Sequence, residues 1–134
     1  MLDVYEKQVR TVLEMAVSVW QPALTQQESV QIERVQRCAF YIILGTGYKS
    51  YNQALETLEY ETLYERRIKL CENFAKKALK HPKYKNWFNL NEQKPSKNTR
   101  YKKIDKFLPV KTRTDRYRKS PLPYLTEILN GIYS

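Results

Sequence analysis

Apolar residues recur at helical spacing through the first eighty positions of the chain. Tyr5, Val9, Val12, Leu13, Ala16 and Trp20 fall on one face, and Pro22 closes that first helix. Thr25-Gln26-Gln27-Glu28 has the form of a capping box, with Thr and Glu each satisfying the other's backbone N–H. It opens a helix with Ile32, Val35, Ala39, Ile42 and Ile43 in phase. The last two turns of that helix are apolar all round, which predicts burial on every side, and Gly45 stands as its terminator. Ser50 to Gln53 repeats the capping pattern before Ala54, Leu55 and Leu58, and Thr62 to Glu65 repeats it again. The next helix carries Leu63, Leu70, Phe74 and Ala78, flanked by Ile68, Cys71 and Ala75. Glu65 with Lys69, and Glu72 with Lys76, are spaced as helical ion pairs on its wet side. His81-Pro82 ends it.

Beyond Lys83 the pattern changes. Tyr84, Trp87 and Phe88 make an aromatic cluster, and residues 91–98 are polar. Ser120 as N-cap, Pro121 at the first helical position and Asn130-Gly131 as a stop predict one last short helix. The expected fold is all-α, with four to five helices packed around Trp20, Ile32, Val35, Ile42, Leu55, Leu70 and Phe74. Residues 1–90 form the bundle, residues 91–134 a basic, partly irregular C-terminal arm with a short helix, and the whole one folding unit.

Composition narrows the class. An apolar content of 42% is ample for a core, and three glycines argue against a turn-rich β chain. No glycine-rich phosphate loop occurs. The longest apolar run, Cys38 to Leu44, falls far short of the ~20 residues of a membrane span. The N-terminus is acidic and interrupted by charge, unlike a secretory leader. The expectation is an intracellular chain, nuclear or cytoplasmic and not secreted, with Cys38 and Cys71 as small buried hydrophobes.

Charge is distributed unevenly. Residues 1–67 hold 7 Lys+Arg against 9 Asp+Glu, and residues 68–134 hold 17 against 5. Between Lys94 and Lys119 there are 11 basic residues against Asp105 and Asp115, with Tyr101, Phe107 and Tyr117 interleaved. A solvated face is the commoner source of a charge run, but such faces mix signs. The dilution by acids is slight here, and bases among aromatics suit single-strand nucleic acid. Lys102, Lys103, Lys106, Lys111, Arg113, Arg116, Arg118 and Lys119 are the expected phosphate contacts, with Tyr101 and Tyr117 stacking or packing on sugars. The partner is then RNA or DNA, and no membrane. Catalysis finds no support: one His, two Cys and three unpaired Asp provide no metal site and no nucleophile with its base. No catalytic residue, metal or cofactor is expected.

Four stretches resemble the region just beyond the catalytic palm in LINE-type (non-LTR) retrotransposon reverse transcriptases. Val12 to Thr25, VLEMAVSVWQPALT, is similar to that family's LEYA..VWHP.LT segment. Ile32 to Arg37, IERVQR, resembles its IE.VQ helix. Glu61 to Arg67 with Leu70-Cys71 and Phe74-Ala75 resembles L.TLEERR..LC..FA. Arg113 to Ser120 with Pro123-Tyr124-Leu125 resembles RT.RY..S.IPYL. The matches fall in order and cover nearly the whole chain. Met15, Gln21 and Phe40-Tyr41 depart from the family, the last by replacing a basic residue. The resemblance implies the helical thumb and post-thumb region of an RNA-directed DNA polymerase, which hold template and primer. The polymerase carboxylates and their Tyr-x-Asp-Asp turn belong to an upstream domain missing from this sequence. The chain alone is then a non-catalytic fragment or mobile-element remnant, and no enzyme. The alternative is a helical protein-interaction module, or a non-functional remnant, with no nucleic-acid role.

Overall fold

Backbone hydrogen bonding follows the capping residues closely. The computed structural model describes residues 1–91 and 105–133. Helix α1 runs without a break through Leu2–Val4, Tyr5–Arg10 and Thr11–Glu14, its middle stretch widened to π geometry. Then come α2 (Val17–Trp20), α3 (Gln26–Leu44), α4 (Tyr51–Leu58), α5 (Leu63–Lys80), α6 (Asp115–Arg118) and α7 (Pro121–Tyr133). The fold is all-α. Among the described residues the only extended pairing is one antiparallel bridge, Leu90 with Phe107.

Two of the three expected capping boxes form in full, and at Ser50 only the Gln53 N–H to Ser50 hydroxyl half is made, at 3.3 Å. The Thr25 N–H donates to the Glu28 carboxylate at 2.8 Å, and the Glu28 N–H returns to the Thr25 hydroxyl at 3.3 Å. Thr62 and Glu65 make the same exchange at 3.3 and 3.2 Å. Because Glu65 is spent on its cap, Lys69 pairs with Glu61 and not with Glu65. Gly45 takes φ +52° and ends α3.

Several expectations are corrected. The first helix does not reach Pro22: Met15 turns extended, ψ 125°, and Ala16 left-handed, φ +51°. The wide turn at Tyr5–Arg10 also shifts the phase of the last turn of α1, so Tyr5 is buried while Val12 is 64% exposed. Along α3 the packed face is Gln36 and Phe40, with Ile43 and Leu44 beyond them. Val35, Tyr41 and Ile42 therefore lie outside, the latter two at 62% and 64% exposure, and Cys38 is exposed too. Phe74 is likewise exposed at 41%. Asn130 and Gly131 do not stop the last helix, which continues to Tyr133. The Ser120 hydroxyl, expected to cap it, has no hydrogen-bond partner among the described residues.

The chain divides into two compact units. The first comprises Met1–Val17 and Leu24–Leu70, the second Ser18–Ala23 and Cys71–Ser134. The expected boundary at residues 90/91 thus falls inside the second unit, and each unit has its own core. In the first, Phe40 meets Tyr5 and Tyr60 edge-on at 5.6 and 5.4 Å and stacks on Tyr51. In the second, Ala75, Ala78, Phe88, Phe107, Leu125 and Leu129 pack together.

Candidate nucleic-acid interface

The division of the fold is also a division of charge. By sequence, the first unit carries 8 Lys+Arg against 9 Asp+Glu, a net of −1, and the second 16 against 5, a net of +11. A compact body with that surplus produces a positive surface potential that attracts polyanions.

The second unit presents its bases on a short, well-capped segment. The Thr114 hydroxyl accepts the Tyr117 N–H at 3.2 Å, setting up the single turn α6. The Ser120 N–H then donates to the Tyr117 carbonyl at 3.0 Å, and the chain passes into α7. Arg113, Arg116, Tyr117, Arg118 and Lys119 are therefore grouped on and beside one helical turn, and all are exposed. Arg118 pairs with Asp115 at 2.9 Å. Lys111, Arg113, Arg116 and Lys119 make no ion pair with a described carboxylate. Lys106 is exposed and holds its ammonium 4.7 Å over the Tyr133 ring. The other three expected contacts, Tyr101, Lys102 and Lys103, lie outside the described residues.

What holds this region in place is a polar clamp that periodicity did not disclose. The Asn130 amide is buried, accepting from the Phe107 N–H at 2.8 Å and donating to the Phe107 carbonyl at 3.0 Å. It meets the backbone of Phe107 as a neighbouring strand would. On the other side of that residue, Asn91 donates to the Lys106 carbonyl and Leu108 to the Asn89 carbonyl, each at 2.8 Å. The two described ends flanking residues 92–104 are thereby fastened together and tied to α7.

Five lysines that the expected boundary at residues 90/91 left with the bundle also belong to the second unit. They are Lys76, Lys77, Lys80, Lys83 and Lys85. Their regular spacing along and after α5 reads as a wet helical face, which hid them.

The family-like residues of the first unit do different work. Glu33 accepts from the Leu63 and Tyr64 N–H groups at 3.1 and 3.2 Å, so a carboxylate from α3 caps the start of α5. Glu33 also accepts from the Tyr51 hydroxyl. Gln36 accepts from Tyr5 at 2.6 Å and donates to Tyr51 and to the Glu61 carbonyl at 2.9 and 3.0 Å. Glu14 forks onto Arg66, and the buried Arg67 donates to Ser29 at 2.6 Å. Burial pushes the Tyr5 and Tyr51 phenols well above their usual range. Burial and the Glu6 carboxylate raise Tyr60 to about 12. The Glu14 hydrogen bond strengthens the hold of Arg66 on its proton.

Among the described residues no three His, Cys, Asp or Glu side chains gather where a metal could sit. None of their helices is long and apolar enough to cross a membrane. Fold and site together define a small all-α protein whose near-neutral unit is locked by buried polar groups and whose second unit is strongly basic. No family model, curated protein or solved structure matches the chain.

Proposed function

We propose that this chain binds RNA or DNA through its second unit. Lys106, Lys111, Arg113, Arg116, Arg118 and Lys119 contact phosphates, Tyr117 packs on a sugar or base, and the first unit serves as scaffold. The observation that carries this reading is the coincidence of the +11 surplus with one of the two compact units. A solubilising surface has no reason to respect a folding boundary.

We further propose, from the sequence resemblance, that the parent protein is an RNA-directed DNA polymerase of LINE type and that this chain holds its template-primer. The interlocking of Glu14 with Arg66 and of Glu33 with the start of α5 supports that reading, because it gives the matching segments a common structural purpose.

Salt titration tests the binding. With about five phosphates neutralised, log K falls against log[salt] with a slope near −3.5 to −4.5. A flat dependence, or no binding at low salt, contradicts the proposal. A second reading, a helical protein-interaction module, is favoured by one observation, the exposure of the apolar side chains Val35, Tyr41 and Ile42 on α3. In that case an acidic polypeptide displaces nucleic acid at equal charge.

A further inference from the structure

The second unit contains an apolar groove of about 340 Å³, lined by Val19, Phe74, Trp87, Pro121, Leu122 and Leu125 together with Ser18 and Ser120. That volume is at the lower end of the range of small-ligand sites. Three of its walls are unusually open for large apolar side chains: Val19 is 58% exposed, Trp87 45% and Phe74 41%.

Its aromatic wall is the end of a ladder of rings. His81 stacks on Tyr84 at 4.6 Å, and Trp87 lies 4.7 Å from Tyr84 with its plane tilted by 44°, so the row of rings turns at Trp87. Of the three rings, Trp87 is the one that borders the groove. Cations flank it by chain continuity. Lys83 and Lys85 bracket Tyr84 and precede Trp87, and Arg118 and Lys119 lead directly into Ser120 and Pro121. No charged side chain lines the groove itself. Two serines stand in its wall, Ser18 and Ser120, and the Ser120 hydroxyl is buried with no hydrogen-bond partner among the described residues.

We propose that the groove receives one unpaired nucleobase, which continues the His81–Tyr84–Trp87 ladder while the flanking cations hold the adjacent phosphates. The ligand is then single-stranded nucleic acid rather than duplex, in which stacked bases are not free to enter. This rests on the nucleic-acid reading above and specifies which form is bound.

The test measures binding of the full chain to three ligands of equal phosphate number: a 20-mer thymidine strand, a 20-mer abasic strand, and a 10-base-pair duplex, which should bind no better than the abasic strand. The expected order is thymidine strand over abasic strand by roughly five- to 150-fold, the worth of one stacked base. Trp87→Ala should remove that advantage without changing the salt slope, and Trp87→Tyr should restore most of it. Wild-type chain needs no variant to fold for the first comparison. Equal affinity for thymidine and abasic strands overturns the groove assignment while leaving the basic surface standing. Failure to bind any of the three at low salt overturns the nucleic-acid reading itself. A polyglutamate chain competing as well as the thymidine strand overturns the assignment in favour of an acidic protein partner.

Discussion

Ala16 holds a left-handed backbone, φ +51°, and its short side chain is exposed. A non-glycine residue there costs about 1–2 kcal/mol, and nothing beyond its Cβ offsets that cost. Ala16→Gly should therefore stabilise the fold by roughly 0.5–1 kcal/mol in urea denaturation, after the entropy glycine loses on folding. A loss of stability would mean that the turn at Met15–Ala16 is misassigned. Glu33 is the opposite case, a single carboxylate serving three donors on α4 and α5. Glu33→Ala should cost about 1.5–3 kcal/mol, and Glu33→Gln, which keeps an acceptor, clearly less. Neither role shows in a hydrophobic pattern. Ala16 reads as one more apolar position in a helix, and Glu33 as one more charge on its wet side.

At the scale of elements, the caps of α3 and α5 were legible, the ends of the last helix were not, and neither was facing. Thr25 with Glu28, Thr62 with Glu65, and Gly45 act over three or four residues of chain, where sequence spacing is spatial spacing. Which side of α3 faces inward depends on long-range partners. Gln36 is buried because Tyr5, Tyr51 and the Glu61 carbonyl satisfy its amide, and that turns Val35 and Ile42 outward. The same network makes the first unit sensitive to alkali. Tyr5, Tyr51 and Tyr60 keep their protons to higher pH when folded, Tyr60 to about 12, whereas an unfolded tyrosine titrates near 10. The unfolded chain sheds these protons first, so stability is intact below about pH 10 and declines as pH rises towards 12. Phenolate absorbance should show some of the 11 tyrosines titrating late, together with loss of helix by circular dichroism. A single titration of all of them near pH 10, with the fold intact, would refute the network. Asn130 is the equivalent device in the second unit. Asn130→Leu should cost about 2–4 kcal/mol by stranding the buried Phe107 N–H and carbonyl, with faster amide exchange at Phe107 and Leu108.

For the whole molecule, charge was the most informative property of the sequence, and the structure gives it a boundary. Counting charge over residues 68–134 already included Lys76 to Lys85, but the boundary at residues 90/91 placed them in the bundle and not with the basic surface. They belong with it because the chain re-enters the second unit at Cys71, where α5 passes from one unit to the other. No local sequence feature marks that point, since the helix continues through it without a cap or a break. Phosphate contact should therefore belong to the second unit alone.

Fluorescence-anisotropy titration of a labelled single strand across a salt series tests this most directly. Arg113, Arg116 and Lys119 would be changed together to Gln, and compared with a control in which Arg34, Arg37 and Lys49 of the first unit are changed to Gln. Both variants lose the same charge. The first should weaken binding uniformly and reduce the magnitude of the salt slope by about 2 to 3, roughly one for each lost phosphate contact. The control should retain nearly the wild-type slope. Equal losses in the two variants, or a larger loss in the control, would contradict the assignment of nucleic-acid binding to the basic unit.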